Sequence, residues 1–258
     1  MYLCAAKIQF LRYFISLAYK GTDFHGWQWQ PNALSVQQII QEALQTMLRE
    51  PVTIVGAGRT DAGVHASEFF AHFDFENPIN TKELVLKLNS FLPDSVVIYD
   101  IFKVSEEAHA RFDANSRSYE YRIFLGRNPF LIDTTWQIHN QTLNVEAMNK
   151  AAAYLLQYSD FKCFSKSKTD VKTYLCDISE AYWQQNGKHL TFYITANRFL
   201  RNMVRAIVGT LIDIGLEKKS SNYIKEVIES RNRSKAGFSV PAKGLFLTKI
   251  TYPNNLFM

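Results

Sequence analysis

Between an apolar run, Val52-Thr53-Ile54-Val55, and an aromatic one, Phe69, Phe70, Phe73 and Phe75, lies the segment Gly56-Ala57-Gly58-Arg59-Thr60-Asp61-Ala62-Gly63-Val64-His65-Ala66-Ser67. It sets a lone carboxylate on a glycine-rich loop two residues after an arginine. An adjacent cation favours the ionised form of an acid. An ionised, pre-positioned carboxylate is a nucleophile of the kind used in covalent glycosidic chemistry. The second carboxylate that glycosidases pair with it is not evident. The plain alternative is that Asp61 forms a turn or caps a helix. Gly56-Ala57-Gly58 begins like a dinucleotide fingerprint, but Asp61 stands where the third glycine belongs, and no Walker loop is present. Asp61, His65, Glu68 and His72 are four, three and four apart, so on a helix they would share a face and bind zinc or iron. Gly63 interrupts such a helix, and Glu68 to Phe75 alternates like a strand, which leaves Asp61 and His65 back on the loop. A metal centre is therefore not expected.

Cations gather in three other places. Arg198, Arg201 and Arg205 are three and then four apart with Asn202 beside them, while Leu200, Val204, Ile207 and Leu211 take the other side of the same expected helix. Three arginines in one stripe with no acid among them point to phosphates or to a carboxylate partner, against the plain reading of a solvated face. Arg111, Arg117 and Arg122 are interleaved with Phe112, Tyr119 and Tyr121, the composition of RNA contact, where rings stack on bases and cations take the phosphates. Periodicity alone makes Tyr119 a core residue. His25, Trp27 and Trp29 in an expected loop offer another stacking surface, and Lys166 and Lys168 repeat the basic theme.

The elements that must hold these residues are legible as well. The 258 residues, 47% hydrophobic and 14% aromatic, suffice for a buried core. A net charge of +5 with a pI near 9.0 favours polyanionic partners where the cations cluster. No apolar run reaches the roughly 18 residues of a membrane span. The first residues, broken by Lys7 and Arg12, lack signal-peptide order. Cys4, Cys163 and Cys176 are odd in number and far apart, which suits reduced thiols in a cytoplasmic protein. Strands are expected at 12–20, 52–55, 68–75, 96–104, 117–125, 189–197 and 244–252. Helices are expected at 35–48, with Ser35 and Gln38 as a capping box, and at 81–91, with Thr81 as cap. Further helices are expected at about 145–156, at 198–215 and at about 223–230. Asn128-Pro129 marks a possible boundary. The mixture indicates an α+β fold with a largely antiparallel sheet.

Taken together, the chain resembles the TruA family of tRNA pseudouridine synthases. Gly56 to Ala66 is similar to that family's catalytic signature. The landmarks Tyr19 to Gln28, Ser35-Val36-Gln37, Leu88 to Asp94, His109 to Phe112, Ser118 to Tyr121, Asn197 to Arg205 and Pro241 to Leu245 follow in order, covering essentially the whole chain. The resemblance implies the pseudouridine synthase fold: two similar halves, 1–110 with the catalytic loop and 111–258, with mostly antiparallel sheets backed by helices around a central cleft. It implies isomerisation of uridine at positions 38, 39 and 40 of the tRNA anticodon stem-loop by a cytoplasmic homodimer without metal or organic cofactor. Asp61 would be the nucleophile, and Arg59 would displace or hold the target nucleotide. Tyr119 would stack on the extruded uracil and is a candidate for proton removal from C5. Arg205 would pair with Asp61. His25, Arg111, Arg117, Arg198, Arg201, Lys166 and Lys168 would bind the tRNA. Val240 departs from the family's small residue before Pro241, and Arg201-Asn202 stand where histidines are common; both bear on tRNA contacts and not on the chemistry. Two other classes remain: a non-catalytic tRNA-binding or folding protein that has kept the fold, and a metal-dependent hydrolase using Asp61, His65 and His72.

Overall fold

A computed structural model describes residues 10–166 and 171–256. In chain order the strands are β1 (Leu11–Tyr19), β2 (Val55–Gly56), β3 (His65–Phe75), β4 (Val96–Lys103), β5 (Ser116–Leu125), β6 (Trp136–Ile138), β7 (Ile178–Asn186), β8 (His189–Ala196) and β9 (Leu245–Thr251). The helices are α1 (Val36–Leu48), α2 (Thr81–Phe91), α3 (Val145–Tyr154), α4 (Met203–Gly215) and α5 (Tyr223–Ser230). All nine strands join one sheet, ordered β4-β1-β3-β9-β5-β8-β7, with β2 on β3 and β6 on β5 as side branches. Only the β3–β9 and β5–β6 pairings are parallel, so the fold is mixed α+β on a mostly antiparallel sheet.

The closing strand is what shapes the site. β9 inserts between β3 and β5, pairing His65 with Phe246 on one side and Tyr119 with Leu247 on the other. The end of the glycine-rich loop and the start of β5 are thereby set on either side of one strand. Two apolar clusters flank this seam. One gathers β1–β4 with α1 and α2 around Phe14, Ile40, Phe69 and Phe73. The other gathers β5, β7 and β8 with α3–α5 around Tyr121, Phe161, Phe192 and Ile207. Tyr119 packs against both.

Local signals account for most element ends. Ser35 Oγ accepts the Gln38 amide at 3.3 Å, but the Gln38 side chain turns to Glu42, so only half of the expected capping box forms. The cap of α2 is Asn80, whose side chain accepts the Glu83 amide, and not Thr81, which is the first helical residue. The helix expected from 198 starts only at Met203, because Asn202 adopts a left-handed backbone (φ 67°). Of 52–55 only Val55 joins the sheet, whereas β3 begins three residues earlier than the alternation at 68–75 suggests. β7 and β6 carry no clean alternation; in β7 a register shift between Ile178 and Glu180 breaks the period. Asn128-Pro129 lies in the link between β5 and β6, which pair, so it divides nothing.

Helix α4 presses so closely on residues 237–240 that a β-carbon on Gly209 would stand 1.9 Å from the Phe238 carbonyl oxygen. The Gly237 amide also donates to Thr210 Oγ1 at 2.8 Å. A Gly209→Ala substitution is expected to destabilise the fold by about 1–3 kcal/mol through overpacking, lowering the melting temperature by several degrees; an unchanged melt would contradict this contact.

Candidate active site

The loop between β2 and β3 is held from several sides. The Ala57 amide donates to Phe70 O (2.8 Å), the Gly63 amide to Phe24 O (3.1 Å), and the Val64 amide closes a turn on Asp61 O (3.2 Å). Thr60 Oγ1 meets the buried Tyr19 hydroxyl at 2.9 Å. Gly63 has φ +76°, which a residue with a side chain adopts only under strain. These bonds fix the path of the loop that carries Asp61.

Asp61 is partly buried, its side chain 24% exposed, and it meets two guanidinium groups. Arg205 Nη1 lies 3.2 Å from Oδ2, and Arg201 Nε lies 3.9 Å from Oδ1. The two differ in kind. Arg205 is 19% exposed and also donates from Nε to the Val240 carbonyl at 2.7 Å, so its orientation is fixed from both ends. Arg201, 60% exposed, makes a longer and looser contact and precedes α4. The stripe read as one helical face is thus a helix residue, Arg205, joined by two residues of the preceding turn. Arg198 is half-buried in that turn, close enough to Arg117 for the two charges to oppose each other.

Tyr119 is the third member. Its ring meets Phe199 edge-on at 5.2 Å, and Asp61 and Arg117 both act on its charge. Burial, the largest cause, pushes its hydroxyl up to about 12, so the phenol stays protonated at neutral pH. Arg59 is exposed and makes no ion pair among the described residues. The cations beside the Asp61 carboxylate are therefore Arg205 and Arg201. Arg111 is exposed, its guanidinium 5.7 Å from the exposed ring of Phe112. Arg117 directs both terminal nitrogens at main-chain carbonyls. The Lys166 amide donates to Arg201 O at 3.1 Å, placing that basic segment beside the same turn; Lys168 lies outside the described residues, as does Cys4. His25 and Trp29 are exposed, but Trp27 is core, stacked on Phe69 at 4.1 Å, and offers no surface for a base.

The histidines are bound up in the scaffold. Buried His65 accepts the Gly21 amide at Nδ1 (3.0 Å), reaches Lys243 O through Nε2 (3.2 Å) and stacks on Phe246 at 4.4 Å. Buried His72 accepts the Ala110 amide at Nδ1 (3.2 Å), and Glu68 accepts the Ile250 amide (2.7 Å). Asp61, His65, Glu68 and His72 each serve a different partner and form no metal-binding group among the described residues. Nor is any described helix long and apolar enough to cross a membrane. Three supports have no local signature in the residues: the Val240 carbonyl that aims Arg205, the Phe199 edge against Tyr119, and the His65 hook. Each depends on a partner distant in the chain.

Residues 151–253 match a family model described as tRNA pseudouridine synthase. The chain is similar over nearly its full length to proteins named tRNA pseudouridine synthase A. That of Bacteroides fragilis is 49% identical over 248 residues, covering 95% of this chain and 98% of the relative. That of Parabacteroides distasonis is 51% identical over 247 residues, with 95% and 98% covered. A tRNA pseudouridine synthase A 2 from Clostridium perfringens is 39% identical over 239 residues, with 92% and 98% covered.

His72 supplies a test of the scaffold. Burial, followed by the Arg12 and His109 charges, lowers it from an ordinary 6.5 to about 4, while Asp74 and Asp113 act the other way. A histidine whose folded value is depressed contributes stability that is complete above pH 6.5 and lost as pH falls toward 4. Thermal melts are expected to decline across that window, and His72→Asn, which keeps an acceptor for Ala110 without the titration, to decline less steeply. Parallel declines would refute the assignment. The Arg12–Asp74 pair holds Asp74 below the usual carboxylate range, so its own loss falls at lower pH.

Proposed function

The chain belongs to the TruA family of tRNA pseudouridine synthases, and on that premise we propose that it acts at positions 38, 39 and 40 of the anticodon stem-loop with Asp61 as the nucleophile. It is an isomerase that converts uridine to pseudouridine in tRNA. The observation that carries the finer reading is the Asp61 carboxylate, partly open to solvent, clasped by Arg205 and approached by Arg201.

The reaction breaks the N1–C1′ bond, turns the uracil and forms a C5–C1′ bond; C5 loses a proton and N1 gains one, with no net oxidation. A carboxylate that attacks C1′ of the ribose or C6 of the uracil forms a covalent intermediate that keeps the detached base from escaping. One nucleophile suffices, and the scheme asks for no metal or organic cofactor. A base in or beside a stem must first be turned out, at a cost of a few kcal/mol. Stacking on Tyr119 would return roughly 1–3 kcal/mol of that, and Arg59, exposed and without an ion pair among the described residues, would hold the displaced nucleotide. A phenol pushed up to about 12 is a poor base, so stacking is the first role of Tyr119.

Arg111, Arg198, Arg201, His25, Lys166 and Lys168 would bind the tRNA in this reading. Residues 1–110 and 111–258 act as two halves of one catalytic unit around a central cleft, in a cytoplasmic homodimer.

An Asp61→Asn protein is expected to bind tRNA with broadly unchanged affinity and to form no pseudouridine, measured as tritium released from C5-labelled uridine; wild-type release would overturn the assignment. Tyr119→Phe is expected to slow turnover far less than Tyr119→Ala. Equal losses would assign the essential role to the hydroxyl and to proton transfer.

A further inference from the structure

Arg117 is the second residue of β5, two residues before Tyr119, and its side chain bonds main-chain carbonyls of the protein. Nη1 donates to the carbonyls of Ala114 and Asn197, both at 2.8 Å; Nη2 donates to those of Arg111 at 2.6 Å and Ala57 at 3.3 Å. A guanidinium has five N–H groups in a rigid fork. Four are engaged here, all by main-chain oxygens, and no carboxylate pairs with the group among the described residues. A single donor, Nε–H, is left for a phosphate.

The four carbonyls belong to three segments that build the site. Ala57 immediately precedes Gly58–Asp61. Arg111 and Ala114 belong to the link into β5. Asn197 begins the turn that carries Arg198 and Arg201. Two of these segments are anchored independently. Asn197 exchanges three hydrogen bonds with Asp177, two through its side chain and one through its amide. The 108–113 stretch is bound by His72, by Arg12 and by the Tyr252 hydroxyl, which donates to Ala110 O at 2.6 Å. The fork therefore spans two fixed posts and the approach to the Asp61 loop.

We propose that Arg117 is a positioning residue: it locks the loop bearing Asp61 to the turn bearing Arg198 and Arg201 and does not itself bind tRNA phosphate. The inference rests on Asp61 being the reacting carboxylate. Lysine keeps the charge at this site but has one nitrogen, which cannot reach four carbonyls on three segments.

The test is Arg117→Lys, with Arg117→Ala assayed in the presence and absence of added guanidinium. Single-turnover tritium release at saturating tRNA is expected to fall roughly 10- to 100-fold in Arg117→Lys, the scale of a small misplacement of reacting groups. The Kd for tRNA and its dependence on salt should stay at wild-type values, and guanidinium should restore part of the rate of Arg117→Ala. A wild-type single-turnover rate in Arg117→Lys overturns the proposal, whatever the melting temperature. So does a weakened Kd in Arg117→Ala with a salt slope smaller by about one, the signature of a lost phosphate contact. Asp61→Asn assayed alongside separates the two readings. If it is active, the nucleophile assignment fails; if it is inactive while Arg117→Lys reacts normally, only the positioning role fails.

Discussion

The pairing of Asp61 with Arg205 is the constraint around which the molecule is arranged. A carboxylate on a loop has no fixed direction of its own. It acquires one from a guanidinium held at both ends, by Asp61 Oδ2 at 3.2 Å and by the Val240 carbonyl at 2.7 Å. The two partners are 144 residues apart in the chain, and the strand that brings them together is the last, β9. Residues 240–244 lead into it, and they are bound by Arg205, by the Tyr121 hydroxyl on Pro241 O and by His65 on Lys243 O. The acid's direction therefore depends on both apolar clusters, because β9 lies at the seam between them. Core packing far from Asp61 thus bears on its orientation.

That dependence explains what was legible in the residues and what was not. Helices α1 and α2 were readable because their apolar positions follow the helical period and their ends carry local caps. The start of α4 was misplaced because the arginine spacing matches a helical face so well; the left-handed backbone at Asn202 interrupts it, and nothing in spacing reports that. β7 is not legible because a bulge shifts its alternation, and β6 because three residues are too few to show a period. The glycine-rich loop stood out by composition alone. What made it a site, the Val240 carbonyl, the Phe199 edge and the His65 hook, are pairings across the sheet that have no local signature.

The arginines show why a count of cations is a poor map of a binding face. Arg12, Arg117, Arg205 and Arg233 are all committed to partners within the protein: a bidentate bond to Asp74, four carbonyls, Asp61 with Val240, and the Ala236 and Gly237 carbonyls with the Ser239 hydroxyl. Arg122 bonds Glu120 and lies 3.8 Å over Phe246. Arg59, Arg111 and Arg201, in contrast, are exposed around Asp61 and the link into β5. A buried guanidinium whose donors are satisfied by carbonyls repays its desolvation through geometry and has little left for an external anion. An exposed one retains its donors for phosphate. The modest net charge of +5 is then no obstacle to a polyanionic substrate, since what attracts it is where the uncommitted cations lie. Arg205 spends its donors inside the protein and Arg59 and Arg111 keep theirs at the surface, while Arg201, exposed yet 3.9 Å from Asp61, stands between the two groups.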